Sequence, residues 1–69
     1  MKKVEIKLIG SEISGDIYIT KKGTYLCDVD FNPNNPYLHT MISNDFDREP
    51  CYPVKKDIDF IIVDEFSDE

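Results

Sequence analysis

Oxygen-bearing side chains occupy every second position of one segment, which is the spacing in this chain most typical of metal chemistry. They are Asp28, Asp30, Asn32 and Asn34. The calcium loop of an EF-hand opens with the same alternation, but it also needs a glycine at its sixth position and a glutamate at its twelfth. Pro33 and His39 stand there instead, so the segment is not an EF-hand loop. A nonstandard calcium site, completed by carboxylates of residues 45–49, stays open as an alternative.

Three further side chains, Cys27, His39 and Cys51, carry donor atoms that suit zinc. Structural zinc sites usually draw their ligands from close pairs, and these three residues are far apart along the chain. We therefore assign no metal ligand and no cofactor. Both cysteines are interpreted as small, reduced hydrophobic residues, with a disulfide between them as the alternative.

The sequence lacks the residue patterns that catalysis usually needs. A cysteine nucleophile would have to use His39 as its base, and no spacing indicates that the two residues meet. There is no glycine-rich phosphate loop, nucleotide fingerprint or triad pattern. A chain of 69 residues also rarely encloses a substrate pocket by itself. We therefore predict that the protein is not an enzyme.

The net charge of the chain excludes some classes of binding partner. Fourteen acidic residues against eight basic ones give a net charge of −6, which opposes binding to nucleic acid or to an anionic membrane surface. We expect a protein partner with a basic surface. The first residues alternate in polarity, unlike a signal peptide, and no apolar run is long enough to span a membrane, so we expect a cytoplasmic protein.

Residues 44–57 combine acidic residues, aromatic residues and prolines without any period, which is typical of a long loop. Loops of this length often carry function. Aromatic side chains form the centres of many protein interfaces, and carboxylates steer basic surfaces towards them. We therefore predict that the partner-binding residues are Asp45, Phe46, Asp47, Glu49 and Tyr52. Two other aromatic residues, Tyr18 and Tyr37, are also expected to be exposed.

Alternating polarity predicts three strands in the first half of the chain, over residues 3–9, 12–20 and 24–31. Gly10-Ser11 predicts the turn after the first strand. Lys21-Lys22-Gly23 predicts a hairpin between the second and third strands, because the glycine can adopt the positive φ that closes such a turn.

The third predicted strand divides its side chains between two faces. Tyr25, Cys27, Val29 and Phe31 are expected to face the core. Leu26 would then face solvent together with Asp28 and Asp30. In the second strand, Gly15 is expected to mark a bulge or a sharp bend.

The second half of the chain is harder to interpret. Residues 36–43 fit a helix or a strand, and we favour a strand followed closely by a single helical turn. Residues 58–63 are apolar on both sides, which predicts a central strand. The acidic tail, residues 64–69, is expected to fray.

Together these elements predict one domain over residues 1–69, all-β or β-dominated α+β. Its core would be an antiparallel sheet of four to five strands, curled into a small barrel. An open sheet covered by one short helix is the alternative. Either arrangement leaves sheet edges exposed, so a homodimer is expected. The predicted function is a small acidic protein-binding module that occupies a partner surface. A self-assembling structural subunit is the alternative, and a metal-binding regulator is a third.

Overall fold

The computed structural model describes residues 2–46, 49–54 and 58–67. These residues form a single six-stranded sheet with one turn of 3₁₀ helix, so the predicted β-dominated class is confirmed. Along the chain the elements are β1 (Lys2–Glu12), β2 (Gly15–Thr20), β3 (Tyr25–Asp28), β4 (Leu38–Met41), the 3₁₀ turn (Ile42–Asn44), β5 (Pro50–Pro53) and β6 (Ile58–Ile62).

The sheet is open, and its strand order is β5-β4-β3-β2-β1-β6. Neighbouring strands run antiparallel, except that β6 lies parallel to β1. The predicted closed barrel of four to five antiparallel strands is therefore wrong. The chain forms one strand more than the five predicted, β5, and β5 and β6 are the two edges of the sheet.

The connection between the two edges forces the sheet to curl strongly. In a flat sheet, five interstrand spacings would separate β5 from β6 by about 24 Å. Pro53 ends β5 and Ile58 begins β6, and five residue steps span at most about 18 Å. The curl brings Val54, which follows β5, and Phe60 of β6 onto the same hydrophobic cluster. Curvature was thus predicted correctly, although closure was not.

Two hairpins connect the first three strands. The hairpin at Lys21-Lys22-Gly23 is confirmed: Gly23 has φ 92° and donates its N–H to the carbonyl of Thr20 at 3.0 Å. The turn predicted at Gly10-Ser11 is wrong, because β1 continues to Glu12 and turns at residues 13–14. Gly10 instead follows an irregularity in the β1–β2 register.

Both faces of the sheet are partly covered, and each carries a buried cluster. The tyrosine face contains Ile6, Tyr18, Leu26 and Leu38, with Val4, Val54 and Phe60 packed against them. The cysteine face contains Ile17, Cys27 and Met41, with Tyr25, Val29 and Phe46 packed against them.

Two residues expected to be exposed are buried because the sheet buries both of its faces, and one residue expected to be buried is exposed because its strand ends early. Leu26 and Tyr18, both expected to face solvent, are 3% and 1% exposed. Phe31, expected to face the core, lies beyond β3 and is half exposed. When both faces of a strand are buried, polar and apolar residues no longer alternate along it, and the predictions of exposure depended on that alternation.

The second half of the chain contains one confirmed prediction and two corrections. Residues 36–43 do contain a strand, β4, followed by the 3₁₀ turn. Residues 44–57, predicted to be loop throughout, include the edge strand β5. The predicted central strand is β6, which lies at the opposite edge.

The acidic tail contacts the sheet at Ser67, within the segment expected to fray. Ser67 donates from its backbone N–H and its hydroxyl to the carboxylate of Glu5, at 2.9 and 3.0 Å. Its carbonyl accepts a hydrogen bond from the ammonium group of Lys21. Residues 68 and 69 lie outside the described residues.

Candidate functional site

The first of the predicted partner-binding residues lie in the connection between β4 and β5, whose two ends are joined by hydrogen bonds to Ile42. Ile42 donates its N–H to the carbonyl of Glu49 at 3.1 Å, and its own carbonyl accepts the N–H of Asp45 at 3.2 Å. Ser43 and Asn44 adopt left-handed conformations, with φ of 55° and 50°, which turn the chain sharply within three residues. The side chains of Asp45 and Glu49 both lie exposed beside this junction.

Asn44 fixes the junction to the β2–β3 hairpin. Its side-chain amide donates to the carbonyl of Gly23 at 3.0 Å, and its side-chain oxygen accepts the N–H of Tyr25 at 2.7 Å. Asparagine tolerates the left-handed conformation better than most residues, so one residue turns the chain and also attaches it to the sheet. The exposed carboxylates are therefore presented from a fixed backbone.

Tyr52 projects from the adjoining edge strand and is 72% exposed. Its backbone is bound to β4 through Thr40, whose hydroxyl accepts the Tyr52 N–H at 3.2 Å and lies 3.4 Å from the Tyr52 carbonyl oxygen. Pro50 and Pro53 begin and end the strand. Proline lacks a donor for strand pairing, so these residues oppose the addition of another strand to this edge. We call Asp45, Glu49 and Tyr52 the β5 surface.

Phe46 lies next to the β5 surface but packs into the sheet. Its ring meets the ring of Tyr25 edge-to-face, with centroids 6.1 Å apart and an interplanar angle of 82°. It also covers Gly10, where an added Cβ would lie 3.0 Å from Cζ of Phe46. Phe46 is therefore part of the cysteine face, and its ring supports the start of the β4–β5 connection. Asp47, the fifth predicted contact, lies outside the described residues.

Asp28, which sequence reasoning placed on the solvent face, is fully buried and organises the loop between β3 and β4. One carboxylate oxygen accepts the N–H groups of Asp30 at 3.1 Å and Tyr37 at 3.0 Å. The other accepts the N–H of Asn32 at 2.8 Å. The carboxylate oxygens of Asp28 thus accept hydrogen bonds from backbone N–H groups, as aspartate side chains commonly do in turns.

The described residues that were considered for metal binding do not form one site. Among the described residues, no group of three or more His, Cys, Asp or Glu side chains could hold a metal ion. Cys27 pairs with His39 across β3 and β4. Cys27 is buried, Cys51 is exposed, and both are free thiols. Burial raises the pKa of the Cys27 thiol, against a smaller lowering by its hydrogen bond with Ser14.

A concave pocket of about 590 Å³ opens on the tyrosine face. Leu38, Val54, Ile58 and Phe60 give it apolar walls, and Asp30 and Asn35 stand among its polar lining residues. Asp30 is the single ionisable carboxyl group among the described residues that line it, and that lining includes no histidine, cysteine or serine. Tyr37 is the other ionisable residue of the described lining.

Comparison of the chain with protein-family models, with curated proteins and with solved structures found no match. In the part of the chain that the structure describes, no helix has the length and apolar character that would let it cross a membrane.

Proposed function

We propose that the protein is a binding module that occupies the surface of a basic protein partner through the β5 surface. The observation that carries this proposal is the exposure of Tyr52 on a strand whose backbone is hydrogen-bonded to Thr40. The backbone of Tyr52 is thus ordered before binding, and a tyrosine side chain has only two torsions to fix, so it supplies a large contact area at a low entropic cost.

Charge determines the kind of partner. Asp45 and Glu49 are exposed in the connection that leads into β5, the strand that carries Tyr52, on a chain with a net charge of −6. Such a surface attracts Lys- and Arg-rich protein surfaces and repels nucleic acid phosphates. Binding therefore combines an aromatic anchor with long-range attraction, and it requires no catalytic group, metal or cofactor.

The prolines of β5 favour recognition by side chains. An edge strand without proline can bind a partner through its backbone, which recognises shape more than sequence. Pro50 and Pro53 disfavour that mode, so specificity falls to Tyr52 and the carboxylates. We also place the protein in the cytoplasm, where the exposed thiol of Cys51 stays reduced.

The charge contribution is tested by affinity capture from a lysate of the cells that produce the protein, read by quantitative mass spectrometry. The test variant combines Asp45→Asn with Glu49→Gln. The control combines Asp30→Asn with Glu12→Gln, which removes the same charge at two residues outside β5 and β6. Basic proteins retained by the wild type and the control, but lost by the test variant and at 1 M salt, support the proposal. Equal retention by the two variants would contradict it.

A further inference from the structure

The two edges of the sheet differ in their protection against strand pairing. β5 begins and ends with proline, whereas β6 (Ile58–Ile62) contains no proline and no lysine. Asp59 is its single charged residue. Proteins normally protect exposed edge strands with proline, lysine or bulges, and an unprotected apolar edge pairs readily with another strand. β6 is therefore the edge of this molecule that is suited to pairing.

The parallel pairing with β1 fixes which backbone groups of β6 point outwards. Val63 donates its N–H to the carbonyl of Ile6 at 2.9 Å. Because backbone direction alternates along a strand, residues 59 and 61 also face β1. Ile58, Phe60 and Ile62 then direct their N–H and C=O groups away from the sheet. Three donors and three acceptors lie along an edge whose Ile61 and Ile62 are 40% and 38% exposed.

We propose that this edge pairs antiparallel with the same edge of a second copy of the chain, centred on Phe60. In that register Phe60 lies opposite Phe60 of the second copy, and Ile58 lies opposite Ile62. All three outward residues of each copy then form hydrogen-bonded pairs. The arrangement is two-fold symmetric, as most homodimers are, and it joins two six-stranded sheets into one.

The charges around β6 favour a second copy in this direction. Asp59 falls opposite Ile61, so no carboxylate of the strand faces another carboxylate across the pair. In the sequence, Lys55, Lys56 and Asp57 precede β6 with a net charge of +1, and Asp64 and Glu65 follow it with a net charge of −2. An antiparallel partner of the same sequence brings the end of one strand to the beginning of the other, so these net charges of opposite sign come together. Parallel pairing would instead bring like charges together, which is destabilising.

The test measures the mass of the protein in solution by sedimentation velocity over a concentration series. The wild type is expected to form a species of twice the 8.0 kDa of one chain. Ile62→Lys places a protective lysine on the edge and removes two cross-strand isoleucine pairs per dimer, so its dissociation constant should rise about tenfold or more. Lysine also makes the chain less negative, so general repulsion cannot explain a weaker dimer.

Ile9→Lys is the matched control, because Ile9 is 40% exposed and lies on β1. It should leave the dissociation constant unchanged. Added salt should strengthen the dimer, because it screens both interactions and the repulsion between two chains of charge −6 exceeds the attraction between the few opposite charges at the strand ends. The binding of a basic partner at the β5 surface has the opposite salt dependence, so failure of one proposal is distinguishable from failure of the other.

Amide hydrogen exchange of the wild type tests the pairing without a substitution. The outward amides of Ile58, Phe60 and Ile62 should exchange more slowly as the protein concentration rises. A single-chain mass at every concentration would overturn the proposal, as would a dimer that Ile62→Lys and Ile9→Lys affect equally. Fast exchange of these amides in a dimer would place the interface elsewhere and would also overturn it.

Discussion

Replacement of Asp28 by asparagine should destabilise the protein although it changes few atoms. The carboxylate is fully buried and accepts three backbone N–H groups, from Asp30, Asn32 and Tyr37. An asparagine side chain keeps one accepting oxygen and directs an NH₂ group at a donor that the second oxygen had satisfied. At least one hydrogen bond is lost, and two donors then face each other.

The magnitude follows from the kind of hydrogen bond. A bond to a charged group contributes about 1.5–3 kcal/mol, and the upper end applies where no water can replace it. The three donors belong to exposed residues, so water recovers part of the loss after the loop shifts. We expect about 2 kcal/mol, which corresponds to a fall in Tm of about 8–16 °C for a domain of this size.

Thermal unfolding followed by circular dichroism, with urea unfolding for the free energy, measures the effect. Asp30→Asn is the control, since Asp30 is exposed and the change in charge is identical. Its free energy of unfolding should stay within about 0.5 kcal/mol of the wild type. If the two variants unfold at the same temperature, Asp28 does not organise the β3–β4 loop and the reasoning is refuted.

Three further predictions follow from the packing and titration of single groups. Gly15→Ala should lower the free energy of unfolding by about 3 kcal/mol or more, because the added Cβ would lie 2.3 Å from a backbone oxygen of β3. Gly23→Ala meets no atom within 4 Å and should lower it by about 1 kcal/mol. Urea unfolding measures both values. Hydrogen bonds from the Ser67 backbone and hydroxyl lower the pKa of Glu5 from its usual 4.5. Their contribution is present above pH 4.5 and is lost as the pH falls through the lower folded pKa. The protection factor of the Ser67 amide, which corrects for the intrinsic pH dependence of exchange, should therefore fall only in acid; a fall near neutral pH would contradict this. A thiol reagent should modify Cys51 at once and the buried cysteine only on unfolding; rapid loss of both thiols in the native protein would contradict the packing of the cysteine face.

Local patterns predicted the elements whose signals depend on a few neighbouring residues. The Lys21-Lys22-Gly23 hairpin depends on one glycine that can adopt a positive φ, and that requirement is visible in the sequence. The strand and helical turn within residues 36–43 were also found, because Pro36 and the apolar residues after it restrict the choices. These signals need no knowledge of the rest of the fold.

Exposure could not be predicted from the same patterns. Alternating polarity distinguishes a solvent-exposed face of a strand from a buried one, but both faces of this sheet bury side chains. Leu26 and Tyr18 were therefore assigned to solvent, and Asp28 was interpreted as an exposed carboxylate. The role of Asp28 depends on a loop that returns to it from residue 37, which is a long-range feature that no local spacing reveals.

The edges of the sheet were the least predictable part of the fold. β5 begins and ends with proline, which argued for a loop, but edge strands tolerate proline because their outer groups need no partner. β6 is apolar on both sides, which indicated a central position. Its position at an edge is the observation on which the dimer proposal depends. Of the four predicted site residues that the structure describes, Asp45, Glu49 and Tyr52 are exposed in or next to β5, and Phe46 packs against the sheet.

The most direct test of the central claim compares Tyr52→Ser with Tyr37→Ser in affinity capture from the same lysate. Both tyrosines are exposed, by 72% and 47%. Tyr37 precedes β4 and its ring contacts His39, whereas Tyr52 lies on β5, so Tyr37→Ser is a nearby control outside the β5 surface. We predict that Tyr52→Ser loses the basic proteins that the wild type retains, that Tyr37→Ser keeps them, and that both variants remain folded by circular dichroism. Retention of the same proteins by folded Tyr52→Ser, or no specific retention by the wild type, would contradict binding through the β5 surface.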